Sequence, residues 1–138
     1  MTSEYKKPLP RGIQEEATKP FWDAARRYEL VVPRCKNCDH MHFYPRTECP
    51  KCMSSNLEWT QVSGKGRLYS FTLVRQPVNP AFQEDVPYAY AMVQLAEGPR
   101  MISNIVECDV TTLEIDMPLE AVYDDVTPEC TLVKFKPA

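Results

Sequence analysis

The sequence predicts a mainly β protein, with short helices at its N-terminal end, a rubredoxin-like zinc ribbon and a C-terminal five-stranded OB-fold barrel. Three observations point to this fold class. Two Cys-x-x-Cys pairs lie ten residues apart, thirteen prolines disfavour long helices, and the chain beyond residue 56 is rich in aromatic and β-branched residues. We therefore divide the 138 residues into an N-terminal arm and helix at 1–29, a zinc ribbon at 30–56 and an OB-fold domain at 57–138.

The N-terminal part is predicted to be an extended polar arm, a short helix around residues 13–17 and a second helix that begins near Thr18. Thr18 is a suitable N-cap, and Pro20 falls in the first turn, where its missing N–H costs nothing. The apolar side chains that share one face of this helix are Phe21, Trp22, Ala25 and Tyr28. This face either packs on the rest of the chain or grips a partner protein, and the pattern alone allows both.

The two cysteine pairs have the spacing of a tetrahedral metal site. Cys35 and Cys38 form the first knuckle, and Cys49 and Cys52 form the second. Each knuckle aims two thiolates at one point, so four sulfurs can surround one ion and leave no position for water or substrate. Such a closed site is structural. Zinc is the expected ion, with iron as the alternative.

The only two histidines of the chain, His40 and His42, lie inside the ribbon. Either could replace a cysteine as a ligand, but four sulfurs already satisfy zinc. We therefore expect both imidazoles to lie outside the coordination sphere.

The residue pattern beyond residue 56 predicts β-strands separated by turns. Residues 57–62 and 67–74 are predicted to form one long bent strand, because Gly64 and Gly66 between them permit a sharp bend. Phosphate binding by this glycine segment is the alternative, but no helix follows it as in a P-loop. The remaining strands are predicted at 88–96, 100–106, 119–123 and 131–135, with a long loop at 75–87 and an acidic connector at 107–116. This is the strand order of an OB-fold.

Charge and composition argue against several functions. Residues 57–138 carry a net charge of −6, against +3 for residues 1–56, and a general nucleic-acid binder is expected to be basic there. No apolar run reaches the roughly 20 residues of a membrane span, and the first residues do not resemble a signal peptide. With four cysteines assigned to a metal, we expect the chain in the cytoplasm. The predicted barrel contains no histidine, and its acids are isolated, so no catalytic constellation is evident.

Several motifs together resemble the DUF35 family of zinc-ribbon, OB-fold proteins. The resemblance covers residues 20–137, nearly the whole chain. Asp39 and Met53 stand where the family commonly has glycine after each knuckle, and Asp116 stands where glycine often precedes the fourth barrel strand. The motifs that carry the resemblance are the two knuckles, Thr18-Lys19-Pro20-Phe21-Trp22, Ser63-Gly64-Lys65-Gly66, Val86-Pro87-Tyr88 and Glu97-Gly98.

The resemblance implies a partner protein. Members of this family are accessory subunits of thiolase-like enzymes, such as benzoylsuccinyl-CoA thiolase and sterol side-chain aldolases, in which the larger chain supplies the catalytic residues and binds most of the acyl-CoA. By this resemblance, the chain is a non-catalytic subunit of a hetero-oligomer that acts on acyl-CoA thioesters. The candidate contacts to CoA phosphates are Lys65 and Arg67, by charge alone. The candidate partner-surface residues are Phe21, Trp22, Pro77, Pro80 and Phe82.

Two other functions remain as alternatives. A single-stranded nucleic-acid binder could stack bases on Tyr69, Phe71, Tyr88 and Tyr90, although the acidic balance of the barrel opposes this. A rubredoxin-like electron carrier would hold iron in the four-sulfur site.

Overall fold

A computed structural model of the chain describes residues 7–10 and 15–138. The helix predicted around residues 13–17 lies partly outside these ranges, and residues 16–18 form a turn that leads into the first helix. Within the described ranges, no helix has both the length and the apolarity that a bilayer crossing requires.

The described chain contains one α-helix, seven strands and two short 3₁₀ helices. The α-helix and the strands are α1 (Lys19–Arg26), β1 (Leu30–Cys35), β2 (Leu57–Val62), β3 (Lys65–Val74), β4 (Tyr88–Leu95), β5 (Arg100–Ile105), β6 (Pro118–Thr127) and β7 (Cys130–Pro137). The 3₁₀ helices are Pro80–Asp85, between β3 and β4, and Val110–Thr112, between β5 and β6. The predicted fold class, mainly β with a ribbon and a five-stranded barrel, is confirmed.

The strands form two sheets. β1 and β2 pair antiparallel in a two-stranded sheet, and the closed barrel has the order β3-β4-β5-β7-β6. The prediction that residues 57–62 begin the first barrel strand was wrong, because β2 pairs along its whole length with β1, from Leu57 opposite Cys35 to Val62 opposite Leu30. Residues 57–62 thus close the ribbon, and the barrel begins only after the bend at Gly64. The division of the chain into a separate OB-fold domain at residues 57–138 stays a prediction.

The bend at the start of β3 is needed for barrel closure. Gly64 has φ +80°, and a Cβ at Gly66 would lie 2.4 Å from the carbonyl oxygen of Gln94 on β4. Only glycine lets the two backbones approach so closely. The two glycines are therefore explained by the bend and the close strand approach, without phosphate binding.

Helix α1 lies against both sheets and buries Phe21, Ala24 and Ala25. It ends in a Schellman motif in which the N–H of Glu29 donates to the Ala24 carbonyl and that of Tyr28 to Ala25, both at 2.9 Å. Tyr28 has φ 62° and is 56% exposed, so it has left the helical face predicted for it. The aromatic residue stands at the position where glycine usually ends a helix.

The core fills the barrel and extends under α1 into the two-stranded sheet. Alternate residues of β4 point inward, and Phe135 and Leu68 are fully buried. Phe21 from α1 and Val32 from β1 belong to the same apolar cluster. Ribbon, helix and barrel therefore share one core.

Candidate metal centre and surface groove

The two knuckles have the same backbone geometry. In the first, the N–H of Asp39 donates to the Cys35 carbonyl at 2.8 Å, and in the second, the N–H of Met53 donates to Cys49 at 2.8 Å. Asp39 and Met53 have φ values of 65° and 66°, in the left-handed region that favours glycine. The two departures from the family pattern thus leave both turns intact.

The turns bring four sulfurs together. The Sγ atoms of Cys35, Cys38, Cys49 and Cys52 all lie within 4.8 Å of one another. Two of the separations are 3.5 Å, between Cys35 and Cys52, and 3.7 Å, between Cys38 and Cys49. A tetrahedron with zinc–sulfur bonds of about 2.3 Å has sulfur separations of about 3.8 Å. The four sulfur donors and the distances between them therefore fit a zinc ion held by four thiolates.

The electrostatics of the cluster favour a cation. Burial opposes ionisation of Cys49, but N–H groups of Cys52 and Lys51 favour its thiolate and lower its pKa to about 7. The N–H of Ser54 favours the thiolate of Cys52, but the neighbouring sulfur of Cys35 and burial outweigh it and raise the pKa of Cys52 to about 12. Thiols this close do not all ionise side by side. A divalent ion between them would favour the thiolate form of all four.

The histidines lie beside this cluster and not in it. His42 is 6% exposed, and neither ring nitrogen has a hydrogen-bond partner among the described residues. Burial, and then the neighbouring His40 and Arg46, lower the pKa of His42 and so favour its neutral imidazole. His42 therefore behaves as a core residue of the ribbon.

The two cysteines outside the ribbon are poor nucleophiles. Burial and nearby carboxylates raise the pKa of both the Cys108 and the Cys130 thiols. A reactive cysteine needs a lowered pKa. Neither thiol has the environment of a catalytic group.

The two candidate phosphate contacts differ in availability. Lys65 is exposed on β3 and forms no ion pair with a described residue, whereas the guanidinium of Arg67 donates to the carboxylate of Asp116. Asp116 therefore offsets the charge of Arg67. Lys65 is the better candidate of the two.

Three of the five predicted partner-surface residues line a surface groove, namely Phe21, Trp22 and Phe82, whereas Pro77 and Pro80 do not line it. Phe21 is only 7% exposed and packs against Trp22 and Phe43, with ring centroids 4.9 and 5.4 Å apart. Phe21 is thus a core residue that forms part of the groove wall, while Trp22 is half-buried at its rim. Pro77 and Phe82 are half-buried, and Pro80 is exposed at the start of its 3₁₀ helix.

The groove consists of two adjoining cavities. The first, of about 400 Å³, is mainly apolar and lies between α1, residues 43–45 and the strands β5 and β7. The second, of about 360 Å³, is lined by Phe82 and continues along the same two strands. Asn104, Leu132 and Lys134 line both cavities. The helix and the long loop, which are remote in sequence, therefore lie at opposite ends of one groove.

The sequence analysis named residues at the two ends of this groove, Trp22 and Phe82, but none of the residues of β5 and β7 between them. Asn104 and Leu132 belong to ordinary strand patterns, and nothing local indicates that β5 and β7 lie side by side along a groove. The spacing between two strands that are distant in sequence depends on the whole barrel.

Two family models match consecutive parts of the chain. Residues 22–58 match the rubredoxin-like zinc ribbon domain of ChsH2, and residues 59–124 match its C-terminal OB-fold domain. A DUF35 domain-containing scaffold protein of Methanothermobacter thermautotrophicus is 35% identical over 118 residues, which cover 85% of this chain and 88% of that protein. The chain belongs to the DUF35 family. The resemblance seen in the motifs is confirmed.

Other relatives of this chain differ from it in length. A probable enoyl-CoA hydratase alpha subunit of Thermomonospora curvata is 36% identical over 119 residues, 86% of this chain but 37% of that protein. The chain thus spans little more than a third of that relative. The benzoylsuccinyl-CoA thiolase subunit BbsA of Geobacter metallireducens is 32% identical over 90 residues, 63% of this chain and 56% of BbsA.

A solved structure supports the same assignment. A chain from the Ltp2-ChsH2(DUF35) aldolase superimposes with a TM-score of 0.81 and is 31% identical, covering 95% of this chain and 98% of its own. The likeness extends over ribbon, helix and barrel together.

Proposed function

We propose that this DUF35 chain is a non-catalytic accessory subunit of a thiolase-like complex that acts on acyl-CoA thioesters. The observation that carries the proposal is the likeness, over 95% of the chain, to a chain from the Ltp2-ChsH2(DUF35) aldolase. The name of BbsA as a subunit of a thiolase supports the same class of partner. In this proposal, the catalytic residues for carbon–carbon bond cleavage or formation belong to the partner.

The closed metal site supports a structural role for the ribbon. Four sulfur donors leave zinc no position for a substrate, so the ion holds the shape of the ribbon. Because ribbon and barrel share one core, this shape also fixes α1 against β7. The chain would thus offer its partner a rigid surface. We place it in the cytoplasm, a reducing compartment in which the cysteines stay available as ligands.

The partner surface in this proposal is the groove with Trp22 at one end and Phe82 at the other. Both side chains are half-buried aromatics at a concave surface that is mainly apolar near Trp22 and mixed polar and apolar near Phe82. Aromatic residues of this kind contribute a large share of the free energy of protein association. Lys65 is the proposed contact to a CoA phosphate, if the ligand reaches this chain.

Co-expression with a thiolase-like protein of the same organism tests the proposal. We expect a stable complex by size-exclusion chromatography with light scattering, and thioester-dependent activity only when both chains are present. Trp22→Ala and Phe82→Ala should each raise the Kd of the complex on the order of tenfold. Met53→Ala, at a 69% exposed position outside the groove, is the matched control and should leave the Kd unchanged.

In the same system, Lys65→Ala tests whether Lys65 contacts a phosphate of the acyl-CoA. It should raise the KM for acyl-CoA without affecting assembly. Full activity and solubility of the thiolase-like protein alone, with no complex formed, would contradict the proposed function.

A further inference from the structure

The long loop between β3 and β4 holds its shape through local contacts. Its 3₁₀ helix, Pro80–Asp85, contains no buried residue. The side chain of Asn79 accepts a hydrogen bond from the Ala81 N–H at 2.9 Å, and the Asn79 carbonyl accepts one from the Phe82 N–H at 3.0 Å. Phe82 also faces Tyr88 at the start of β4, with ring centroids 6.3 Å apart. These partners are all close in sequence, so they fix the turn of the helix more than its place on the barrel.

A residue that is remote in sequence also contacts this helix. The Nζ atom of Lys7 lies 2.6 Å from the carboxylate Oδ2 of Asp85 and 5.9 Å from the ring centroid of Phe82. A 3₁₀ helix has three residues per turn, so residues 82 and 85 lie on the same side of it. One ammonium group therefore holds one face of the helix, through an ion pair and a cation–π contact together.

The contact lies at the second cavity of the groove, which is lined by Lys7, Phe82 and Asp85. The side chains of Lys7 and Asp85 are 31% and 36% exposed, so the ion pair borders solvent. An ion pair at this exposure shifts an equilibrium only about two- to fivefold, and salt screens it. The contact therefore biases the position of the loop without locking it.

The N-terminal arm that carries Lys7 also contributes to the other end of the groove. Thr18, directly before α1, lines the first cavity, whereas Lys7 lines the second. Pro8 and Pro10 follow Lys7 closely, and each proline ring fixes its own φ, which limits the conformations open to the lysine. The arm therefore has one described point at each end of the groove.

From these contacts we propose that Lys7 is a clasp, which holds the 3₁₀ helix at the edge of the second cavity and so presents Phe82 in one position before the partner binds. The inference rests on the proposed function and names how part of the partner surface is ordered. A loop that is already held in its bound position loses less conformational entropy on association. Lys7 is thus a positioning residue that acts on the partner through Phe82.

Hydrogen exchange in the free chain tests the clasp without any partner. Lys7→Met keeps most of the side-chain length but removes the charge, so the amide of Phe82 should exchange about two- to fivefold faster. Arg75→Met is the matched control, because it removes from the same loop an exposed cation that forms no ion pair with a described residue. Lys7→Glu and Asp85→Lys should each speed the exchange, and the two together should restore the slow rate.

The affinity for the thiolase-like partner tests the presentation of Phe82. Lys7→Met should raise the Kd of the complex about two- to fivefold at low salt, and this difference should shrink at about 1 M salt, where the ion pair is screened. In a Phe82→Ala background, Lys7→Met should have no further effect, because the clasp acts through that ring. Arg75→Met should leave the Kd unchanged. A melting curve establishes that every variant is folded.

The outcomes separate this inference from the proposed function. Unchanged exchange of the Phe82 amide in Lys7→Met overturns the clasp and leaves the accessory function standing. Faster exchange with an unchanged Kd overturns the presentation of Phe82, and faster exchange with a lower Kd does so by showing that the arm covers the partner surface. Absence of any complex overturns the proposed function and the presentation of Phe82 with it, while exchange in the free chain still decides whether Lys7 holds the loop.

Discussion

At the scale of single residues, Met53 in the second knuckle has a strained backbone conformation that zinc binding does not require of a methionine. Met53 has φ 66° and is 69% exposed, so it gains little from packing. A side chain in the left-handed region costs roughly 1 kcal/mol relative to glycine. The neighbouring cysteines, not Met53, hold the turn in this shape.

We therefore predict that Met53→Gly raises the free energy of unfolding by about 1 kcal/mol, measured by denaturant titration in excess zinc. Asp39→Gly is the matched control at the equivalent position of the first knuckle. Aspartate tolerates a left-handed φ better, and its carboxylate lies 2.6 Å from Arg34, so the gain should be smaller or absent. A less stable Met53→Gly protein would refute the claim that the turn is strained.

At the scale of elements, the end of α1 is fastened to the barrel through Tyr28. Its hydroxyl donates to the carboxylate of Asp125 on β6, and its ring stacks on Tyr123, with centroids 5.6 Å apart. The hydrogen bond to Asp125 and the charge of that carboxylate raise the pKa of Tyr28 above its usual value of 10.0. The folded protein thus holds the phenolic proton more tightly than the unfolded chain.

This linkage predicts a pH-dependent effect of Tyr28→Phe. Because the pKa is raised in the folded state, the contribution of the hydroxyl is complete below about pH 10 and is lost as the pH rises through the folded-state pKa. Tyr28→Phe should therefore be destabilising between pH 7 and 9, and the difference from the unmodified protein should shrink at higher pH. Tyr44→Phe, at an exposed tyrosine for which the described chain records no hydrogen bond, is the control and should show no difference. A deficit that stays constant up to pH 11 would argue against the linkage.

The elements also show how far the sequence determines the structure. The cysteine spacing, the glycine bend and the strand patterns predicted the ribbon and the five barrel strands, because each depends on local signals. The pairing of β2 with β1 was not predictable, since a ribbon strand and a barrel strand have the same alternating pattern and differ only in their distant partner. The left-handed conformation of Tyr28 was not predicted because an aromatic residue stands where glycine usually ends a helix.

At the scale of the whole molecule, one shared core holds three parts together, and the four cysteines would add a metal ion to them. The zinc ligands fix the ribbon, β1 and β2 continue from it into the shared core, and α1 lies between that sheet and the barrel. The groove is formed where these parts meet, so its shape depends on the metal site although no cysteine of that site lines it. In the proposed function, the metal ion stabilises the surface that binds the partner, and the thiolase-like partner supplies the catalytic residues.

X-ray absorption at the zinc edge, on the chain bound to its thiolase-like partner during turnover, tests this account most directly. We predict four sulfur neighbours at about 2.3 Å and no change when acyl-CoA is added. An oxygen or nitrogen neighbour on the zinc, or a coordination sphere that changes with substrate, would contradict a purely structural metal.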